Sequence, residues 1–298
     1  MNLSHPKQAS LSVEIIGAGV VGRAVGHAFI EHSIVTQFID TNQHLVDTLR
    51  TDQMNAKLPE IIPLSSSASF ICVPTPSTDQ GIDLQFIKAA TILLGKRLAL
   101  TDQYHVVVVK STVIPGTTEN VIIPLLEEHS GKKVGQAFGV SFNPEYLREN
   151  KASVDAVLPR LILIGQHDSK AGDLVEQLYA SFRCPKVRIS LKAAEFQKYV
   201  HNLFNATKIA FFNEMREVAE QWKITQIKDI LALTVESCEG IWNPAYGTND
   251  MGAFGGSCLP KDVTAFIAAA QAENLEVPVV AAVKKQNQNY HLKHPKNY

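Results

Sequence analysis

Apolar positions in the first 190 residues recur at two alternating periods. Ser12-Val-Glu-Ile-Ile16 is β-branched and alternates, which predicts a strand, and a helical pattern follows from 23 to 31. The pairing repeats, with a strand at 35–39 and a helix at 42–50, before the pattern fades through Ser69. A short buried strand is predicted at 70–73, stopped by Pro74-Thr-Pro76, then a helix at 83–100. His105-Val-Val-Val-Val109 is apolar throughout, as in a parallel sheet covered on both faces. Further strands are predicted at 138–142, 160–164 and 186–189, with a helix at 170–182. Strands alternating with helices define an α/β, Rossmann-like doubly wound sheet. Beyond residue 190 the pattern is helical. Residues 191–222 lack Gly and Pro and predict one long helix, and two more are predicted at 227–238 and 279–290. The chain is thus read as two domains, 1–190 and an all-α part at 191–298.

Composition narrows the class. The chain has 298 residues, 45% hydrophobic and 19% charged, with a net charge of −1. This fits a soluble globular protein of two domains and gives no reason to expect nucleic acid or a membrane surface as partner. The first ten residues lack the apolar core of a signal peptide, and no run reaches the length of a membrane span. Cys72, Cys184, Cys238 and Cys258 show no metal-type spacing and no disulfide framework, so a cytoplasmic place and no metal are expected.

Candidate chemistry sits at four places. Gly17-Ala-Gly-Val20-Val21-Gly22 is GxGxxG between a strand and a helix, the setting in which pyrophosphate meets a helix N-terminus. Asp40 ends the next strand, where an acid binds the ribose hydroxyls and favours NAD over NADP. Thr75, Ser111, Thr112 and Glu145 recur just past strand ends, the edge at which such sheets bind ligands. Third, Gly252-Ala-Phe-Gly255-Gly256-Ser-Cys258-Leu-Pro-Lys-Asp262 puts a cysteine just ahead of a helix. A helix N-terminus favours the thiolate, the nucleophilic form of cysteine, and Asp262 stands one turn on as a water-activating group. The same stretch also fits a tight turn with a buried, inert cysteine. On the long helix Lys198 and Asn202 are spaced i,i+4 and share a face, with Glu195 and Asn205 nearby.

Taken in order, Val73-Pro-Thr-Pro76, Ser111-Thr-Val-Ile-Pro-Gly-Thr-Thr118, Asn143-Pro-Glu-Tyr-Leu-Arg-Glu149, the Lys198/Asn202 pair and Gly255-Gly-Ser-Cys-Leu-Pro-Lys-Asp262 resemble the UDP-glucose/GDP-mannose dehydrogenases. The resemblance runs from Ser12 to about Tyr290 and implies a short member lacking the family's C-terminal nucleotide-binding domain. It implies oxidation of a nucleotide sugar's primary alcohol to a carboxylate with two NAD. Cys258 would capture the aldehyde, Lys198 and Asn202 would stabilise the oxyanion, and Thr112, Glu145 and Asp262 would hold and activate water. Val73, Pro74, Thr75, Ser111, Thr112 and Glu149 would line the cofactor beside the glycine turn. Glu145, Tyr146, Leu147, Lys198, Asn202, Gly255 and Gly256 would meet the substrate, and the long helix would be the spine of a homodimer.

Two other readings stay open. A two-electron β-hydroxyacid dehydrogenase shares the two domains and the helix-borne Lys and Asn but needs no cysteine. A non-catalytic NAD-binding dimer needs neither.

Overall fold

The structure, a computed structural model, describes residues 11–78, 81–248, 252–256 and 258–294; of the side chains of Thr78 and Glu149 nothing is described. The chain divides into two compact units, one ending at Val200 and one beginning at His201. This boundary falls inside the long helix, nine residues past its start at Leu191.

The first unit is an eight-stranded sheet flanked by helices. From one edge to the other its strands are Lys186–Ser190, Ile162–Gln166, Phe138–Phe142, His105–Val109, Ala68–Ile71, Ser12–Ile16, Val35–Ile39 and Ala56–Lys57. Every pairing is parallel except that of Phe138–Phe142 with Ile162–Gln166. The order reverses between Ser12–Ile16 and Ala68–Ile71, where such sheets open a crevice at their carboxyl ends. The glycine turn and the loop after Ile71 leave the sheet there.

Strand residues point alternately to opposite faces, so a fully buried strand serves two cores. Val106 and Val108 enter the layer with Phe29, Phe38 and Phe70; Val107 and Val109 enter the other, with Leu94, Ile122 and Leu126. A cluster of polar side chains lies in this interior. Arg97 donates from Nη1 and Nη2 to Glu14 Oε1 and Oε2 at 2.8 and 2.9 Å, and Ser69 Oγ donates to Glu14 Oε1 at 2.5 Å. All three side chains are buried.

The strand expected at 70–73 begins two residues earlier, because Ala68 and Ser69 extend the ladder opposite Val13 and Glu14. The two-residue edge strand Ala56–Lys57 and the helix Ala152–Val157 carry too few patterned residues to be read from sequence. The helix at 83–100 is observed as Gln85–Ala99.

In the second unit the helices Ile227–Ser237, Leu259–Ala272 and Pro278–Lys293 come after the end of the long helix, which spans Leu191–Gln221. Val218, Ala270, Val277 and Val280 form its core, with Trp222, Phe266 and Ile267 packed against it. Glu214 accepts the N–H groups of Val279 and Val280 at 2.6 and 3.1 Å, which satisfies donors that the start of the last helix cannot bond internally. Among the described residues no helix is long and apolar enough to cross a membrane.

Candidate active site

The glycine turn is fixed by sterics. Gly17 has φ +91°, and a Cβ there would stand 2.9 Å from the Cys72 carbonyl oxygen, so only glycine fits. Gly19 precedes helix Val20–Glu31 with no side-chain cap on the first turn, and a Cβ there would meet only open space. Uncapped N–H groups facing open space suit a pyrophosphate. Val20 is exposed at this point, Val21 is half-buried, and Gly22 packs the helix onto Gly17. Asp40 accepts the Ala18 N–H at 2.7 Å through one oxygen and the Asn42 N–H at 2.8 Å through the other. Its carboxylate therefore stands at the glycine turn, where the cofactor's ribose is expected.

The next two strand ends are tied together. Thr75 Oγ1 donates to the Thr112 carbonyl at 2.8 Å, and Ser111 Oγ donates to the Val73 carbonyl at 2.7 Å. Pro74 is exposed between them, and Thr112 is half-buried. Glu195, near the start of the long helix, accepts the N–H groups of Gly116 and, at 2.8 Å, Thr118. It locks the loop after Ser111 to the helix that carries Lys198. The side chain of Glu149 lies outside the described residues.

Beyond strand Phe138–Phe142, Glu145 meets Lys198. The Lys198 ammonium, 3% exposed, donates to Glu145 Oε1 at 3.0 Å and to the Glu145 carbonyl at 2.5 Å. It also stands 5.4 Å from the centre of the Tyr146 ring, within cation–π range. The other Glu145 oxygen accepts the Leu147 N–H at 2.6 Å. Tyr146 OH donates to Gln197 Oε1, and burial pushes its hydroxyl up to about 12. An ammonium and a carboxylate so fixed can polarise an oxygen and hold a water.

The second unit holds the remaining residues. Asn202 is exposed on the long helix. Cys258 is the residue before helix Leu259–Ala272, Pro260 lies in its first turn, and the Asp262 N–H donates to the Cys258 carbonyl at 2.9 Å. Cys258 is exposed, not buried as the alternative reading of this stretch expected. The Asp262 carboxylate pairs with Lys261 Nζ at 2.8 Å, and both side chains are exposed. Gly255 and Gly256 are exposed. Their loop is gripped from the last helix: Asn287 donates to the Phe254 carbonyl at 3.0 Å and accepts the Phe254 N–H at 2.7 Å.

Sequence reasoning assigned no role to Lys110, Tyr179 or Asn287. Lys110 did carry a signal, a lone cation closing an apolar strand. The partners of the other two are far along the chain, and no spacing shows them.

The glycine turn, the uncapped helix start and Asp40 define a dinucleotide-binding domain of the Rossmann type. Residues 60–183 match the NAD binding domain of the UDP-glucose/GDP-mannose dehydrogenase family, and residues 192–289 match its central domain. GDP-mannose 6-dehydrogenase of Pseudomonas aeruginosa is 38% identical over 231 residues, covering 76% of this chain and 52% of that protein. UDP-glucose 6-dehydrogenase AglM of Haloferax volcanii is 33% identical over 305 residues, covering 93% and 69%. The crystal structure of a ternary complex of GDP-mannose dehydrogenase from Pseudomonas aeruginosa superimposes with a TM-score of 0.88 at 31% identity, covering 95% of this chain and 70% of that one. The chain belongs to the UDP-glucose/GDP-mannose dehydrogenase family. It spans about half the length of the GDP-mannose 6-dehydrogenases it matches. The cofactor is NAD, the one its matched domain is built to hold.

Proposed function

We propose that the protein oxidises the primary alcohol of a nucleotide sugar to the carboxylate, and that GDP-mannose is preferred to UDP-glucose. The observation that carries the reading is the ion pair of buried Lys198 with half-buried Glu145, which lies just past a strand end of a family NAD domain. The sugar preference is supported by the higher identity to a GDP-mannose enzyme, 38% against 33% for a UDP-glucose enzyme, although over a shorter stretch.

In this reading the glycine turn at 17–22 and Asp40 hold the cofactor, with Val73, Pro74, Thr75, Ser111 and Glu149 lining it. Bound NAD supplies hydride acceptance. Water held by Thr112, Glu145 and Asp262 takes the alcohol proton. The Cys258 thiolate adds to the aldehyde carbon, and Lys198 and Asn202 donate to the oxygen that becomes negative. A second NAD would accept the second hydride, leaving an acyl group on sulfur, and activated water would cleave it to free the carboxylate and the thiol. Tyr146, Leu147, Gly255 and Gly256 shape the substrate site.

The working form in this reading is a homodimer in the cytoplasm. Leu203, Phe204 and Ile209 of the long helix are each about 60% exposed, an apolar surface that a second copy would cover. NADH formation with GDP-mannose, UDP-glucose and small β-hydroxyacids tests the function. Turnover of a nucleotide sugar is expected, and turnover of β-hydroxyacids alone would overturn it.

A further inference from the structure

Lys110 carries a charge into the interior of the first unit. It comes directly after the fully buried strand His105–Val109 and is only 6% exposed. Burial of an ammonium is tolerated only where its donors are all used. Here Nζ donates to Asn143 Oδ1 at 2.8 Å, to the Asn143 carbonyl at 3.1 Å and to the Pro144 carbonyl at 3.4 Å. Three donors meet three neutral acceptors, and all three belong to the two residues directly before Glu145.

The Asn143 side chain is itself immobilised. Its Oδ1 also accepts Tyr179 OH at 2.7 Å, and its Nδ2 donates to the Leu163 carbonyl at 2.7 Å. Its backbone N–H donates to the Val109 carbonyl at 2.9 Å. The chain then runs through Pro144 to Glu145, whose carboxylate and carbonyl both receive Lys198. Lys110 thus sits beneath the turn that decides where the Glu145 oxygens point.

We infer that Lys110 is a positioning residue: its ammonium fixes Asn143 and Pro144, and through them the presentation of Glu145 to Lys198. The inference rests on the dehydrogenase reading only in taking Glu145 and Lys198 as catalytic. An ammonium has three N–H donors and a neutral amine two, so losing the proton drops one of the three bonds. The ionisable groups facing Lys110 are Cys72, Glu145, Lys198 and Tyr179. Burial pushes the Cys72 thiol up to about 12 and the Tyr179 hydroxyl higher still, so both stay neutral. Burial pushes Lys110 itself down to about 8; the Glu145 carboxylate opposes that shift and Lys198 adds to it. The turn should therefore loosen on the alkaline side, near neutrality.

The test compares wild-type protein, Lys110→Arg and Lys110→Met in two measurements. The first is amide hydrogen exchange in peptides spanning 143–147, where the Leu147 N–H reports its bond to Glu145. The second is kcat, and KM for NAD, for oxidation of GDP-mannose and UDP-glucose from about pH 6 to about pH 10. Lys110→Met is expected to speed exchange in 143–147 while leaving Ser12–Ile16 protected. It should lower kcat at least about tenfold with KM for NAD within about threefold, and remove the alkaline limb. Lys110→Arg, always charged, should recover part of kcat and move that limb upward; it serves alone if Lys110→Met does not fold. Unchanged exchange in 143–147 overturns the inference whatever the activity, as does a wild-type kcat and pH profile in Lys110→Met. Faster exchange in a protein that oxidises no nucleotide sugar leaves the positioning in place and sinks the dehydrogenase reading instead.

Discussion

Lys198 grips Glu145 twice, once at the carboxylate and once at the backbone carbonyl, from a position 3% exposed. The bond to the carbonyl fixes where the ammonium sits, and the Leu147 N–H on the other carboxylate oxygen limits rotation of the glutamate. A donor held this firmly needs little reorganisation when negative charge develops, which is where such groups contribute most. Lys198→Met is expected to lower kcat by about a hundredfold or more, the scale found for losing one oxyanion donor. Steady-state rates with a nucleotide sugar check this, and circular dichroism confirms that the variant is folded.

Asp40 joins the glycine turn to the end of strand Val35–Ile39 by accepting the Ala18 and Asn42 N–H groups. A carboxylate at that place repels the extra phosphate of NADP. Asp40→Ala should weaken NAD and narrow its margin over NADP at the same time. Titration calorimetry with both cofactors measures the ratio. Equal affinities in the unaltered protein would count against the role of Asp40.

Stability should depend on one ion pair far more than on another. Arg97 and Glu14 are both buried and bonded through two parallel bridges, whereas Arg148 is largely exposed where it pairs with Asp155 at 2.6 Å. Glu14→Gln leaves a buried guanidinium without its counter-charge and is expected to cost about 3–5 kcal/mol. Asp155→Asn, at a pair whose arginine is largely exposed, should cost far less. Urea unfolding of the two variants separates these outcomes, and equal losses would contradict the account of the interior.

Much of the first unit is legible in the sequence because its strands are simple. Ser12–Ile16, Val35–Ile39, His105–Val109 and Phe138–Phe142 are read at their observed limits, since β-branched and apolar runs between turn residues have few other uses. Ala56–Lys57 is not legible. It is a strand only because Phe38 and Ile39 lie beside it, a fact of pairing rather than of local preference. The same divide runs through the candidate site. Residues in marked motifs, such as Gly17, Asp40 and Cys258, could be named from spacing. The clasp of Asn287 on Phe254 spans 33 residues, and that of Glu195 on Thr118 spans 77, so neither leaves a local trace.

Assembly is testable at one residue. Phe204 is 62% exposed on the long helix, beside Leu203 at 60%. A charge there would be buried in a dimer that uses this surface, at a cost of several kcal/mol. Light scattering is expected to show a dimer for the unaltered protein and a monomer for Phe204→Glu. A monomer in both would remove the homodimer.

The central claim is that Cys258 retains the aldehyde between two oxidations, and the NADH formed per sugar consumed measures it most directly. The account predicts two NADH and one carboxylate per nucleotide sugar in the unaltered protein. Cys258→Ser should still allow the first oxidation, because that step needs only a base and an oriented alcohol. Its second oxidation should be far slower, because a serine alkoxide is scarce at neutral pH without a dedicated base. Its yield should therefore approach one NADH per sugar, with aldehyde released. Two NADH per sugar at an undiminished rate in Cys258→Ser would contradict the covalent mechanism.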